Sequence, residues 1–314
     1  MTSDISYTTE EIAKLLKVSK LTVYDLIKKG ELPSYRVGKQ MRVDAADLEA
    51  YKNRAKNGYG VQQPAARGAA DLPVQASGEL PLVITGQDIS LDILVKHIER
   101  HIPGVRPLRA YVGSLDSLIS MFRGQSDIVS THLLDGDTGE YNLPYIRKLL
   151  VGFPYLVVNL VSRSAGLYVQ QGNPHQIKGW SDLSRPGLRI VNREKGSGAR
   201  VLLDEQLRLH RISPSELEGY DAEELTHIGV AGKVASGEAD TGVGIEKAAA
   251  IVGHVGFIPL VQERYDLVLL KKPENREWIE ALLQILRSPA FQGELRAVQG
   301  YDLSLTGQIL HETN

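Results

Sequence analysis

Residues 7–51 read YTTEEIAKLLKVSKLTVYDLIKKGELPSYRVGKQMRVDAADLEAY, and this stretch predicts a small DNA-reading fold. Thr8 and Glu11 have the spacing of a capping box, which satisfies two free amides at the start of a helix. A three-residue turn follows and ends at Ser19, which is placed to cap a second helix at Lys20–Lys29. Two short helices around such a turn form a helix-turn-helix, whose second helix has the width to enter a major groove.

A predicted hairpin follows the two helices. In Leu32–Val43 apolar residues alternate around Gly38-Lys39, which is typical of two strands joined by a tight turn. The hairpin carries basic residues near its tip, and a basic tip beside a recognition helix suits DNA phosphates. Asp44 is then placed to cap a last helix, Ala45–Tyr51.

With its order of cap, helix, "VS", second helix and "G.LP..R.G...R...DL..Y", the stretch resembles the excisionase and MerR-type winged helix family. The resemblance implies binding to double-stranded DNA. The residues expected to face DNA, from position in the family and from their outward placement, are Ser19, Lys20, Thr22, Tyr24, Lys28, Arg36, Lys39 and Arg42. The alternative is a small domain that contacts protein, since one fold serves several functions. Because one winged helix binds weakly and specific sites usually need two copies, we expect a homodimer or a higher homo-oligomer.

The N-terminal residues 1–56, called the head below, are basic, whereas the rest of the chain is acidic. Residues 1–56 hold 11 Lys and Arg against 8 Asp and Glu, whereas the remaining residues hold 25 against 30. The 314 residues include no cysteine, no apolar run long enough for a membrane span and no secretory signal at the N-terminus. These observations predict a cytoplasmic protein without a membrane segment, disulfides or thiolate metal sites.

A break in composition at residues 57–79, rich in Gly, Ala, Pro and Gln, predicts a linker between a domain at 1–56 and a larger one at 80–314. The larger domain alternates short apolar runs with helical patterns, which predicts an α/β fold with a parallel sheet. The predicted strands are Leu80–Thr85, Leu108–Val112, Asp127–Ser130, Tyr155–Ser162, Leu167–Gln170 and Leu188–Asn192. The predicted helices are Ser90–His101, Leu115–Arg123, Ala199–Leu209, Gly229–Ser236 and Glu277–Leu286.

Four polar or glycine-rich segments lead into predicted helices, mostly directly after a strand. They are Thr85–Ser90, Gly113-Ser114, Arg193–Arg200 and Thr226–Gly229. A helix N-terminus offers free amides and a positive dipole end, and ligands of open α/β sheets bind at the carboxyl ends of strands. Each segment is also consistent with a simple helix cap, but four together favour a ligand site. His132, just past a strand, is a further candidate donor.

The region 80–310 resembles the periplasmic-binding-protein-like fold of type II, nearest to molybdate-binding proteins. The supporting stretches are DIVSTHLLD at 127–135, GLYVQQGNPHQIKGWSDLSRPGLRIVN at 166–192 and AGKVASGEADTGVGIEKAA at 231–249. The resemblance implies two lobes that close on a small ligand, lobe 1 at about 80–162 and 245–314 and lobe 2 at about 165–242. It places the crossovers between the lobes near residues 155–170 and 240–245.

Molybdate or tungstate is the first ligand that this resemblance suggests. The expected ligand contacts, from position in the family and from the strand-end argument, are Asp88, Ser90, Ser114, His132, Arg193, Ser197, Gly198, Thr226 and His227. Two features depart from a molybdate site. No tyrosine follows the turn at Asp240–Gly242, and Asp88 would repel a dianion unless Arg193 or its basic neighbours balanced the charge.

Catalytic and metal motifs are not found in the sequence. It lacks H-E-x-x-H and G-x-S-x-G, and a possible G-x-G-x-x-G fails at Lys247. We therefore predict a ligand-responsive transcription regulator that is not an enzyme and holds no metal or cofactor. The alternative is a molybdenum-related carrier or cofactor-biosynthesis accessory protein whose N-terminal domain binds protein, and salt-dependent DNA binding distinguishes the two.

Overall fold

A computed structural model describes residues 6–16, 20–28, 32–37, 40–45, 47–49, 51 and 79–313. The chain divides into two compact units, Met1–Val74 and Gln75–Asn314, which are described separately below. Of the predicted linker at 57–79, only Glu79 lies within the described residues. Within the described ranges, no helix is both long and apolar enough to cross a membrane.

The first unit combines short helices with a three-stranded antiparallel sheet of order β1-β3-β2. Its elements are β1 Ser6–Thr8, α1 Thr9–Leu16, α2 Lys20–Lys28, β2 Tyr35–Val37 and β3 Gln40–Asp44. Residues 45, 47–49 and 51 are also helical, where the last helix was predicted. The predicted hairpin is confirmed by the pairing of β2 with β3, but β1 was not predicted.

The start of α1 has the predicted capping box. The backbone N–H of Thr8 donates to Glu11 Oε2 at 2.8 Å, and the N–H of Glu11 donates to Thr8 Oγ1 at 3.3 Å. Ile12, Val23 and Leu32 are fully buried in the core of this unit, together with residues of β3 and the last helix. The apolar side of each helix therefore faces this shared core, which leaves the other side of α2 in solvent.

The second unit has a ten-stranded sheet of order β5-β4-β6-β11-β7-β10-β8-β9, with β12 and β13 paired to β7. Its strands are β4 Leu80–Thr85, β5 Val105–Ala110, β6 Ile128–Thr131, β7 Tyr155–Gln170, β8 Ile190–Arg193, β9 Glu223–Glu224, β10 Thr241–Ile245, β11 Val255–Leu270, β12 Tyr301–Asp302 and β13 Ile309–Glu312. Its α-helices are α3 Ser90–His101, α4 Ser114–Phe122, α5 Leu143–Leu149, α6 Gly198–Leu209, α7 His227–Ala235, α8 Glu246–Val252, α9 Arg276–Arg287 and α10 Pro289–Arg296. Three short 3₁₀ turns are at Trp180–Ser184, Pro214–Glu216 and Pro273–Asn275.

Two long antiparallel strands, β7 and β11, run through both halves of this unit. Near Leu160 and Leu267 they pack into one apolar core, and near Leu167 and Ile258 they pack into another. The unit is therefore bilobed, with lobe 1 at about 80–163 and 263–313 and lobe 2 at about 164–262.

The structure differs from the predicted topology in three respects. The second crossover is β11 and not residues 240–245, because β10 pairs with β7 inside lobe 2. The segments predicted as two strands in 155–170 form one strand, since the polar break at Arg163 is paired across the sheet with Glu263. The sheet is mixed and not parallel, because both crossing strands are antiparallel to their neighbours.

Candidate ligand-binding cleft

A cleft of about 710 Å³ lies between the two lobes of the second unit. We call it the interlobe cleft. Lobe 1 lines it with the loops that follow β4, β5 and β6, and lobe 2 lines it with the loop after β8 and the starts of α7 and α8. Arg163 and Tyr265 of the crossing strands form its floor. This volume is in the range of small-molecule sites.

The structure brings eight of the nine expected ligand contacts to this one cleft. They are Asp88, Ser114, His132, Arg193, Ser197, Gly198, Thr226 and His227. The ninth, Ser90, is fully buried outside the cleft lining, and its backbone N–H donates to Asp88 Oδ1 at 2.8 Å. Ser90 therefore positions the Asp88 carboxylate and does not face the cleft itself.

Four helices of eight or more residues begin at the interlobe cleft: α3, α4, α6 and α7. Ser197 caps α6 by accepting from the N–H of Arg200 at 3.3 Å, and Thr226 caps α7 by accepting from Gly229 at 2.9 Å. Within the described part of the chain, the N–H groups of Gly198 and His227 enter no hydrogen bond. Free amides of lobe 2 thus meet the positive helix ends of both lobes at one place, which favours an anion.

A buried charge network lies under the cleft. Arg163, which is 4% exposed, pairs with Asp88 and donates from Nε to Glu263 Oε1 at 2.6 Å. Glu263 in turn lies 3.1 Å from Nδ1 of His132, and Tyr301 donates its hydroxyl hydrogen to Asp88. The network therefore connects the loops after β4 and β6 to both crossing strands.

This network fixes the charges of its carboxylates. Burial raises the pKa of Glu263, but His132 and Arg163 outweigh burial and lower it to about 2. Burial also raises the pKa of Asp88, but the charge of Arg163 together with hydrogen bonds from Ser90 and Tyr301 outweighs burial, so the pKa of Asp88 lies below its usual value. Asp88 is therefore ionised and paired with Arg163, a cation that it shares with Glu263, and this pairing weakens its repulsion of an anion.

Arg193 joins the two lobes. Its side chain is 2% exposed, and it donates to Glu194 Oε2 at 2.8 Å and to Oε1 of Gln87, in lobe 1, at 2.5 Å. The N–H of Leu115 also donates across the cleft to the carbonyl of Gly196 at 3.0 Å. Arg193 was expected to balance the charge of a ligand, but its ion pair with Glu194 already offsets much of the positive charge of Arg193.

Two further groups in the cleft have unused bonding capacity. Within the described residues, the buried Nδ1 of His227 has no hydrogen-bond partner. Burial first, and then Arg193, hold the pKa of His227 well below its usual value, so the ring is neutral near pH 7. Lys247 at the start of α8 contacts the ring of Tyr301 at 5.2 Å, and no carboxylate among the described residues pairs with it.

Arg163, Glu263 and Lys247 were not among the predicted site residues, and Gln87 was included only as part of the segment Thr85–Ser90. The only local signal for the first two is a charged residue inside an apolar strand pattern, in VVNLVSRSAGLYV and in FIPLVQERYDLVLL. A charge there must be paired, because an isolated buried charge is very costly. Lys247 was considered only as the residue that breaks a glycine motif.

The residues expected to bind DNA lie in the first unit. Thr22, Tyr24 and Arg36 are exposed, whereas Lys20 pairs with Glu10 of α1 and Arg42 donates to Ser6 Oγ at 3.1 Å. Ser19 and Lys39 lie outside the described residues, as does the side chain of Lys28. Their contact with DNA stays a prediction.

Two lobes joined by a pair of crossing strands around a cleft define a bilobed ligand-binding fold. Residues 95–287 match the PBP superfamily domain, and residues 6–56 match a helix-turn-helix domain. The chain belongs to the PBP superfamily and has an excisionase-like helix-turn-helix domain at its N-terminal end. Both are non-catalytic kinds of domain.

Relatives cover both the whole chain and parts of it. The uncharacterized protein YvgK of Bacillus subtilis is 52% identical over 100% of both chains. The molybdate-binding protein ModA of Mycobacterium tuberculosis is 29% identical over 146 residues, which are 45% of this chain and 50% of ModA. The structure of OxyR from Corynebacterium glutamicum has a TM-score of 0.52 at 14% identity, covers 93% of this chain and 89% of that one, and shows a shared fold.

Proposed function

We propose that this protein is a DNA-binding transcription regulator controlled by an anion that binds in the interlobe cleft. The observation that carries the proposal is the meeting of four helix N-termini from two lobes at a cleft that also contains Lys247, which pairs with no carboxylate of the described residues. Molybdate and tungstate are the first candidate anions, because part of the second unit is similar to a protein named as molybdate-binding. A cytoplasmic location is part of the proposal, because reading DNA requires access to the chromosome.

Control requires that the ligand prefers one arrangement of the lobes. In the closed arrangement the two lobes contact each other through Arg193 and Gln87 and through Leu115 and Gly196. An anion that binds between these segments forms hydrogen bonds with both lobes at once. It therefore stabilises the closed arrangement over the open one. In a homodimer, a change in lobe closure alters how two second units pack, and so the spacing of the two DNA-reading heads.

The proposal is tested with the full chain and a labelled DNA duplex selected from a random pool. Fluorescence anisotropy is measured at several salt concentrations, with and without molybdate or tungstate. We expect affinity to fall steeply with salt, because phosphate contacts release counterions, and to change at least fivefold with the effective anion. The exposed Arg36 is replaced by Ala, which should weaken binding and reduce the salt slope by about one.

The control is Arg276→Ala, which removes a charge from an exposed helix of the second unit and should leave DNA binding unchanged. If no duplex shows salt-dependent affinity, the DNA-binding claim fails and a carrier or accessory protein becomes the better description. If DNA binds but no anion changes its affinity, the sensing claim fails alone.

A further inference from the structure

The rim of the interlobe cleft is apolar. Five large apolar side chains that line it are between 47% and 72% exposed: Ile89, Tyr111, Leu225, Ile228 and Ile251. We call them the apolar lip. The first two belong to lobe 1 and the other three to lobe 2, so the lip faces inward from both sides. A cluster of exposed apolar groups at a concave site marks a surface that something covers.

The volume of the cleft exceeds what a bare oxyanion fills. A five-atom oxyanion takes the room of about two or three waters, roughly 60–90 Å³. The cleft offers about 710 Å³, within the range that encloses a drug-sized organic molecule. A tetrahedral ion held at the helix starts would therefore leave the apolar lip in contact with water.

A positive group lies in the same cleft as the lip. Lys247 is partly buried, and burial lowers its pKa; the charge of Asp88 opposes this shift, and a smaller repulsion by Arg163 adds to it. A negative group of a ligand that lies beside Lys247 stabilises its charged amine and so offsets the free-energy cost of burying it. Asp116 also lines the cleft and carries the opposite charge, but its side chain is exposed and water screens it more strongly than it screens Lys247.

We propose that the cleft binds an organic anion, whose acidic group lies at Lys247 and the helix starts and whose apolar or aromatic part lies against the apolar lip. This inference rests on the proposed function and names the chemical class of its ligand. The lip lies on both lobes, so covering it needs both to be in place. The apolar part of the ligand, and not only its charge, then drives lobe closure.

The test uses sulfonates that share one acidic group and one charge but differ in apolar size. Isothermal titration of the full chain compares methanesulfonate, benzenesulfonate and 2-naphthalenesulfonate, with molybdate as a further probe. Burying one aromatic ring contributes roughly tenfold or more in affinity. We therefore expect 2-naphthalenesulfonate to bind at least tenfold more tightly than methanesulfonate and to compete with any bound molybdate.

Variants separate the two parts of the site. The double variant Tyr111→Ser, Ile228→Ser should remove most of the gain from the rings, and Lys247→Gln should weaken all three sulfonates. Val151→Ser is the matched control, because Val151 is 72% exposed but does not line the cleft. Neutral 2-naphthalenemethanol should bind far more weakly than the naphthalene anion.

Each failure has a separate meaning. If molybdate binds but the three sulfonates bind equally, the apolar lip plays no part and this inference is wrong while the proposed function stands. If the neutral alcohol binds as tightly as the sulfonate, the acidic half of the inference is wrong. If no anion of either kind binds, the proposed function fails together with it.

Discussion

Replacing Arg163 with Met tests whether the charge network under the cleft holds the two lobes together. The change keeps an unbranched apolar stem but removes the guanidinium, and so leaves Asp88 and Glu263 without their shared cation. Both carboxylates are buried, at 7% and 1% exposure. Removing one partner of a buried ion pair costs about 3–5 kcal/mol, because the remaining charge is uncompensated.

The pKa of Glu263 gives the same order of magnitude. Its fall from an ordinary 4.5 to about 2 corresponds to about 3 kcal/mol of stability above pH 4.5. Because the folded-state pKa is depressed, this stability is present above the unfolded-state value and disappears as the pH falls toward 2. In Arg163→Met the carboxylate has lost a cation, so its pKa rises and the free energy of unfolding depends less on pH in this range.

Tryptophan fluorescence during urea unfolding measures the stability of the second unit, which contains the charge network. The chain has two tryptophans, Trp180 in the core of lobe 2 and Trp278 in the core of lobe 1, so the signal reports on both lobes. We expect Arg163→Met to lower the free energy of unfolding by about 3–5 kcal/mol at pH 7 and by clearly less at pH 3.

The control is Arg276→Met, because Arg276 pairs with Glu280 at an exposed site where an ion pair contributes about 0.5 kcal/mol or less. The reasoning is refuted if Arg163→Met costs less than about 1 kcal/mol at pH 7, or if its cost is the same at pH 7 and pH 3.

Two further predictions concern the close packing at the interlobe cleft and the capping box of α1 in the first unit. Gly198→Ala places a methyl group 2.4 Å from the ring of His132 across the cleft, so ligand affinity should fall about tenfold by isothermal titration. Gly232→Ala, with open space around it, is the control, and equal affinities for the two variants would contradict the prediction. Thr8→Val removes the hydroxyl that accepts from the N–H of Glu11, and losing this cap should destabilise α1 by about 1 kcal/mol. The amides of α1 should then exchange hydrogen about fivefold faster, and an unchanged rate would mean that the cap contributes nothing.

Local sequence signals predicted the elements that surround the cleft. Leu80–Thr85 and Ser90–His101 have the predicted bounds, because an unbroken apolar run and a 3.6-residue period are each contained in one short segment. The starts of α4, α6 and α7 lie within one or two residues of the predictions for the same reason. Helix starts at strand ends then indicated the loops that line the interlobe cleft, and their contact with a ligand stays a prediction.

Long-range pairing could not be predicted in this way. Arg163 and Glu263 are 100 residues apart, and each interrupts the apolar pattern of its own strand. β11 was not predicted at all, since Pro259 and the polar residues after it resemble a loop. Only the partner strand makes those polar residues compatible with a buried strand.

The charge network also has a consequence for the order in which the chain is made. Arg163 bonds a residue 75 positions earlier and another 100 positions later, and Tyr301 reaches back 213 positions to Asp88. Synthesis proceeds from the N-terminus, so lobe 2 can assemble while lobe 1 still awaits its last strands. Until residue 263 emerges, Arg163 lacks Glu263, and until residue 301 emerges, Asp88 lacks the hydrogen bond from Tyr301. We expect a ribosome-bound intermediate with an unfinished lobe 1, which matures when the segment containing Tyr301 emerges.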